Sequence, residues 1–120
     1  MKILVCGGRK FADWRLLKET LDKYPDDTVL IHGAAPGADD LADRYGKKVR
    51  KWKVVPYPAD WKKYDDAAGP IRNQRMLDEG KPDRVIAFPG GHGTANMIRK
   101  ARAAGVPVDE ISAREDRLTK

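Results

Sequence analysis

Apolar positions along the chain fall in short blocks whose internal spacing changes repeatedly from continuous to helical and back. Lys2–Cys6 (KILVC) carries a continuous apolar run after its lysine, halted by Gly7-Gly8, the pattern of a strand buried on both faces. Over Ala12–Lys23, Leu16, Leu17 and Leu21 share one helical face. Thr28–His32 (TVLIH) repeats the buried-strand pattern and stops at Gly33. Across 38–50, Ala38, Leu41, Ala42 and Tyr45 stand at i, i+3, i+4 and i+7, which predicts an amphipathic helix. Trp52–Tyr57 alternates and ends at Pro58, a third strand, whereas Ala59–Gly69 has no period and reads as a long loop. Pro70 suits the first turn of a helix over 70–79 that Gly80 closes. Asp83–Phe88 (DRVIAF) is a fourth strand, Pro89–Gly93 a glycine-rich turn, and a helix from about Thr94 to Ala104 ends at Gly105. Val106–Ile111 is a weak fifth strand.

Strands separated by helices predict an α/β fold with a mainly parallel five-stranded sheet. The chain reads as one domain over 1–111 followed by a charged C-terminal tail over 112–120. Its 120 residues are 41% hydrophobic and 35% charged, a globular composition with a densely charged surface. No apolar run approaches the ~20 residues of a membrane span. Met1-Lys2 leads into an apolar stretch too short for a signal peptide, so a cytoplasmic location and no membrane partner are expected. Cys6 is the only cysteine, which excludes an internal disulfide and a cysteine-rich zinc site. Cys6, His32 and His92 fall at strand ends without a ligand-spacing signature, so no metal and no cofactor are expected. A net charge of +6, from 24 basic and 18 acidic residues, favours anionic partners without choosing among them.

In parallel sheets ligands bind beyond the carboxyl ends of the strands, where strand order reverses, so the strand ends carry the candidate chemistry. After the first strand, Gly7-Gly8-Arg9 offers close backbone approach and a guanidinium fork, or else an ordinary turn with a solvated arginine. After the second, His32-Gly33 opens a loop of small residues leading to Asp39. Asp39 either favours the helix dipole or accepts a bond from a ribose hydroxyl. After the fourth, Pro89-Gly90-Gly91-His92-Gly93-Thr94 presents backbone amides at a helix N-terminus, an arrangement suited to an anion. Thr94 is placed to cap that helix or to bond a phosphate oxygen. Gly91-x-Gly93 begins a GxGxxG fingerprint that Asn96 leaves incomplete, and GxxxxGK[ST] is absent. Arg72 and Asn73 are expected in the first turn of their helix, where a cation opposes the dipole and hints at an anionic partner. Trp61 offers a stacking ring or a packing residue. Arg44, Lys47, Lys48, Arg50, Lys51 and Lys53 form either a solvated face or a patch for single-stranded nucleic acid, with Trp52 or Tyr45 available to stack on bases.

Taken together, the ordered set GGR–F, HGAAPGAD-x-LA, PADW, AGP-x-RN-x-x-M and VIAFPGGHGT resembles the SLOG superfamily, in particular its YspA-like branch, over about residues 2–108. The resemblance implies a Rossmann-like three-layer sandwich whose glycine loops hold nucleotides or nucleotide-derived ligands. Among relatives, the LOG phosphoribohydrolases carry RK-x-x-M and PGG-x-GT-x-x-E, with the Arg and Glu serving N-glycosidic cleavage. Arg72 and Met76 match the first motif with Asn73 in place of Lys, and Met97 stands where the second has Glu. A thioether does not stabilise the positive charge that develops on the sugar, so the expected carboxylate is missing unless Asp39 supplies it. The DprA relatives, which act on single-stranded DNA, share an Arg-Asn step like Arg72-Asn73. LOG-like relatives are commonly dimers, so the resemblance also implies a homo-oligomer.

The first expectation is therefore a nucleotide or ADP-ribose-like ligand bound at Gly7, Gly8, Arg9, His32, Gly33, Asp39, Arg72, Asn73, Pro89, Gly90, Gly91, Gly93 and Thr94. A phosphoribohydrolase using Arg72 and Asp39 comes second, and binding of single-stranded nucleic acid third.

Overall fold

The strands form in the predicted order, each within the predicted block: β1 (Lys2–Cys6), β2 (Val29–His32), β3 (Lys53–Pro56), β4 (Arg84–Ala87) and β5 (Val108–Glu110). The structure, a computed structural model, describes residues 1–113; residues 114–120 of the expected tail lie outside the described residues. All four strand pairings are parallel, and the sheet runs β3-β2-β1-β4-β5. The chain builds outward from β1 to β3, returns, and adds β4 on the other side of β1. Strand order therefore reverses between β1 and β4.

Both faces of the sheet are covered, which is why β1 is apolar from Ile3 to Cys6 rather than alternating. Ile3 and Val5 point to one side, with Leu30, Ile86 and Phe88, and pack on helices α1 (Trp14–Leu21) and α2 (Ala38–Arg44) through Leu17, Leu21 and Ala42, and on Tyr45 just beyond α2. Leu4 and Cys6 point to the other, with Ile31, Val85 and Ala87. There they meet Met76 and Leu77 of α4 (Ala68–Gly80) and Met97 and Ala101 of α5 (His92–Ala103). The result is the Rossmann-like three-layer α/β sandwich. Among the described residues no helix is long and apolar enough to cross a membrane.

Three segments depart from the sequence reading. The helix expected over 38–50 is α-helical only to Arg44 and continues as a π-helix over Tyr45–Arg50. There Gly46 lies so close to β3 that a Cβ would sit 2.9 Å from Val54 Cγ2. The segment expected to be a loop over 59–69 contains a short helix, α3 (Trp61–Tyr64), and a 3-10 turn. Asp60 caps α3 by accepting from the Lys63 N–H at 3.1 Å, a local signal that apolar periodicity does not register. Finally, α4 begins at Ala68, two residues before Pro70. Pro70 is still within the turn whose N–H groups have no intrahelical partner, so its missing donor costs no helical bond.

Candidate functional site

The end of the sheet where strand order reverses is tied together through Gly8. Its N–H donates to the Pro89 carbonyl at 2.9 Å, and its own carbonyl accepts from the N–H groups of Phe11 and Ala38 at 3.2 and 3.1 Å. The loops after β1, β2 and β4 are thus laced at one point. Two glycines make the lacing possible. Gly37 has φ of +82° and presses on Gly8 and Arg9, where a Cβ would lie 2.1 Å from the Gly8 carbonyl oxygen. A Cβ on Gly90 would lie 2.3 Å from Thr94 Oγ1 and 2.7 Å from the Gly8 nitrogen.

Beyond this knot opens a cleft of about 620 Å³. One wall is the start of α5. Gly91 is its N-cap, with no side-chain cap, and the first main-chain bond into the helix runs from the Ala95 N–H to the Gly91 carbonyl. The amides of His92, Gly93 and Thr94 therefore have no i−4 carbonyl within the helix, and these three residues line the cleft at the helix's positive end. A Cβ on Gly91 or Gly93 would meet nothing within 4 Å, so these two glycines border open space while Gly90 is packed. Helix α5 starts two residues before the predicted position, and Thr94 lies inside its first turn rather than at its cap.

The opposite wall comes from α3, α4 and the loop after β1, and it brings cations in. Arg9 and Arg72 line the cleft from this side and Arg99 from α5, and none of the three forms an ion pair with a carboxylate among the described residues. Arg72 lies in the second turn of α4, not the first, because the helix begins early. From there its guanidinium reaches across to donate to the Gly33 carbonyl, while its Nε donates to Asn73 Oδ1 at 3.0 Å. Burial lowers the Arg72 pKa from its ordinary value, and the nearby Asp39 charge partly offsets that. Asn73 is buried and donates to the Gly93 carbonyl at 3.2 Å and to Asn96 Oδ1 at 3.1 Å, so it couples Arg72 to the start of α5.

Asp39, in the first turn of α2, is only 6% exposed. One carboxylate oxygen, Oδ2, accepts from the N–H groups of Gly33 at 3.0 Å and Ala35 at 3.2 Å. Oδ1 has no hydrogen-bond partner among the described residues, and Asp39 lines the cleft. Burial pushes its pKa above the ordinary carboxylate value, against the Ala35 and Gly33 amides and the Arg72 charge. Cys6 also lines the cleft; burial foremost, then the Asp39 charge, pushes its thiol up to about 12, which keeps it protonated.

Of the predicted ligand-binding residues, Gly7, Gly8, Arg9, Asp39, Arg72, Asn73, Gly91, Gly93 and Thr94 line this one cleft. The Gly8 N–H is taken by Pro89. Pro89 and Gly90 lie in the lacing behind the cleft, and Gly33 serves as the seat for Arg72 and Asp39. His32 is buried: its Nδ1 accepts from the Ala34 N–H at 2.9 Å, so Nε2 carries the proton donated to Asp43 at 2.8 Å. Motif reading gave no site role to Asp66, Asn96 or Arg99. The last two follow His92 at i+4 and i+7, a face legible only once α5 is known to start at His92.

The basic stretch divides differently. Arg44 pairs with Asp40 and Lys47 with Asp43, each at 3.1 Å. Arg50 donates to the carbonyls of Leu21, Asp22 and Tyr24 and lies over the Trp52 ring. Trp52 and Tyr45, expected to be available for base stacking, are instead 5% and 0% exposed in the core, where each packs edge-on to the other. Lys48, Lys51 and Lys53 remain on the surface.

A parallel sheet in this order with its cleft at the reversal defines a Rossmann-like α/β ligand-binding architecture. The chain belongs to the YspA, cpYpsA-related SLOG family (YAcAr), whose model matches residues 1–64, from β1 through α3. It is similar to the gene 61 protein of Mycobacterium phage D29, 38% identical over 117 residues that cover 89% of this chain and 93% of the phage protein. Membership of this family points to a role in binding or processing a nucleotide-related ligand.

Proposed function

We propose that the cleft binds a nucleotide or nucleotide-derived ligand, of the nucleoside monophosphate or ADP-ribose class. The phosphate sits against the open amides of His92, Gly93 and Thr94, with Arg9 and Arg72 balancing its charge. Asp39 Oδ1 accepts a bond from a ribose hydroxyl. The observation that carries this reading is the pairing of an uncapped helix N-terminus with arginines that lack carboxylate partners, across one cleft at the strand-order reversal. Phosphate neutralises both walls at once, and charge-assisted bonds of this kind are the stronger ones. The test is a melting series with AMP, ADP and ADP-ribose. A ligand at 100 times its Kd adds about 2.7 kcal/mol, which in a domain of this size raises Tm by roughly 10 °C. No shift with any of the three removes the proposal.

A second reading is hydrolysis of the N-glycosidic bond, and it rests on Asp39. Met97, at the position of the relatives' catalytic glutamate, is wholly buried in the core beneath the cleft. The carboxyls that line the cleft are those of Asp39 and Asp66, and burial raises the pKa of Asp39 toward a value useful for proton transfer. Incubation with AMP then releases adenine, and both Asp39→Asn and Arg72→Ala abolish the release. AMP recovered intact after long incubation removes hydrolysis and leaves the binding reading standing.

A further inference from the structure

The cleft wall formed by α3 carries an aromatic ring for which the phosphate cradle has no use. Trp61 lines the cleft and yet is 46% exposed, whereas the indole of Trp52 is buried and that of Trp14 packs edge-on to Tyr45 at 6.1 Å. Its ring edge rests where α4 begins: a Cβ on Gly69 would lie 3.6 Å from Trp61 Cη2, in ordinary contact. One face of the ring is already occupied by a planar cation, the Arg9 guanidinium, 5.6 Å from the ring centroid. Arg9 has no ion pair or hydrogen bond among the described residues, so this stacking is what holds it. Intercalating a base between the two needs roughly 7 Å, two van der Waals spacings, so a base cannot take that face of the ring while Arg9 stays on it.

We propose, resting on the nucleotide reading above, that the Trp61 indole is the platform on which the base of the ligand stacks. The base takes the place of Arg9 on the ring, and the released guanidinium turns to the phosphate at the start of α5. Arg9 then acts as a placeholder, covering the apolar ring while the cleft is empty and neutralising the anion when it is filled. Cation–π attraction is weak at exposed sites and charge-assisted bonding to phosphate is stronger, so the exchange runs towards the bound state.

The experiment measures binding of AMP and of ribose 5-phosphate, which lacks the base, to the full chain and to Trp61→Ala and Trp61→Phe. Losing a base–aromatic stack weakens binding by about 5- to 150-fold. Trp61→Ala should impose that loss on AMP while changing ribose 5-phosphate affinity less than about threefold, and Trp61→Phe should recover most of it. AMP should quench the tryptophan emission of the wild type, ribose 5-phosphate should not, and Trp61→Phe should lose the quench while still binding. An equal loss for both probes in Trp61→Ala overturns the platform, as does AMP affinity unchanged by that substitution. If the wild type binds neither probe, the nucleotide reading falls and the platform with it.

Discussion

Replacing Asp39 by Ala and by Asn separates the hydrogen-bonding role of this carboxylate from its charge. In the native chain one oxygen, Oδ2, holds both the Gly33 N–H, in a buried bond, and the Ala35 N–H, in a half-buried one. Alanine removes the acceptor and leaves both donors without a partner, with water able to reach only the second. An orphaned buried donor costs about 1–3 kcal/mol, so about 2 for Gly33 and about 1 for Ala35 give a loss near 3 kcal/mol. The Arg72 guanidinium, seated on the Gly33 carbonyl, also loses the nearby charge that offsets its burial. Asparagine keeps one carbonyl oxygen, and because both donors converge on a single oxygen, that one suffices. Asp39→Asn should therefore cost about 1 kcal/mol or less. Urea unfolding reads the difference directly. With a slope near 1.5 kcal/mol/M, Asp39→Ala lowers the midpoint by about 2 M at unchanged slope. A midpoint for Asp39→Ala within about 0.3 M of the wild type refutes the acceptor argument. So does an Asn variant as unstable as the Ala variant, because the loss would then follow the charge and not the acceptor oxygen.

The same carboxyl predicts a pH dependence. Burial raises its folded-state pKa above the unfolded value, so the folded chain holds the proton more tightly, and the stability it contributes is full at low pH and lost as pH rises through the raised value. Relative to Asp39→Asn, the wild type should lose stability as pH climbs from about 4, and parallel curves for the two would contradict this. Gly90→Ala forces a Cβ to 2.3 Å from Thr94 Oγ1 and should cost about 1–3 kcal/mol, whereas Gly93→Ala, helical and facing open space, should gain about 0.5–1 kcal/mol. Arg50→Ala removes donors to three main-chain carbonyls and should cost about 1–3 kcal/mol in chemical denaturation, while the exposed Lys48→Ala stays within about 0.5 kcal/mol.

Hydrophobic spacing alone determined the order and type of nearly every element, because both faces of a covered parallel sheet demand continuous apolar runs and the helices over it demand apolar stripes. Glycine runs at the ends of β1 and β4 were legible as the region of interest for the same reason: a ligand site in such a sheet needs backbone without side chains. Tertiary structure decided which of those glycines face the cleft. Gly91 and Gly93 border open space and Gly90 fills a contact, a difference set by where Gly7-Gly8 and Thr94 approach the turn and invisible in the string Gly-Gly-His-Gly. It also decided which cations line the cleft. Arg50 and Arg72 are alike in sequence, but one is half-buried against its own chain's carbonyls and the other lines the cleft beside Arg9 and Arg99. Trp52 and Trp61 part in the same way, one into the core and one into the cleft. Periodicity reports the face of an element and not what is packed against it, so pairing, burial and free valence exist only once the layers are assembled.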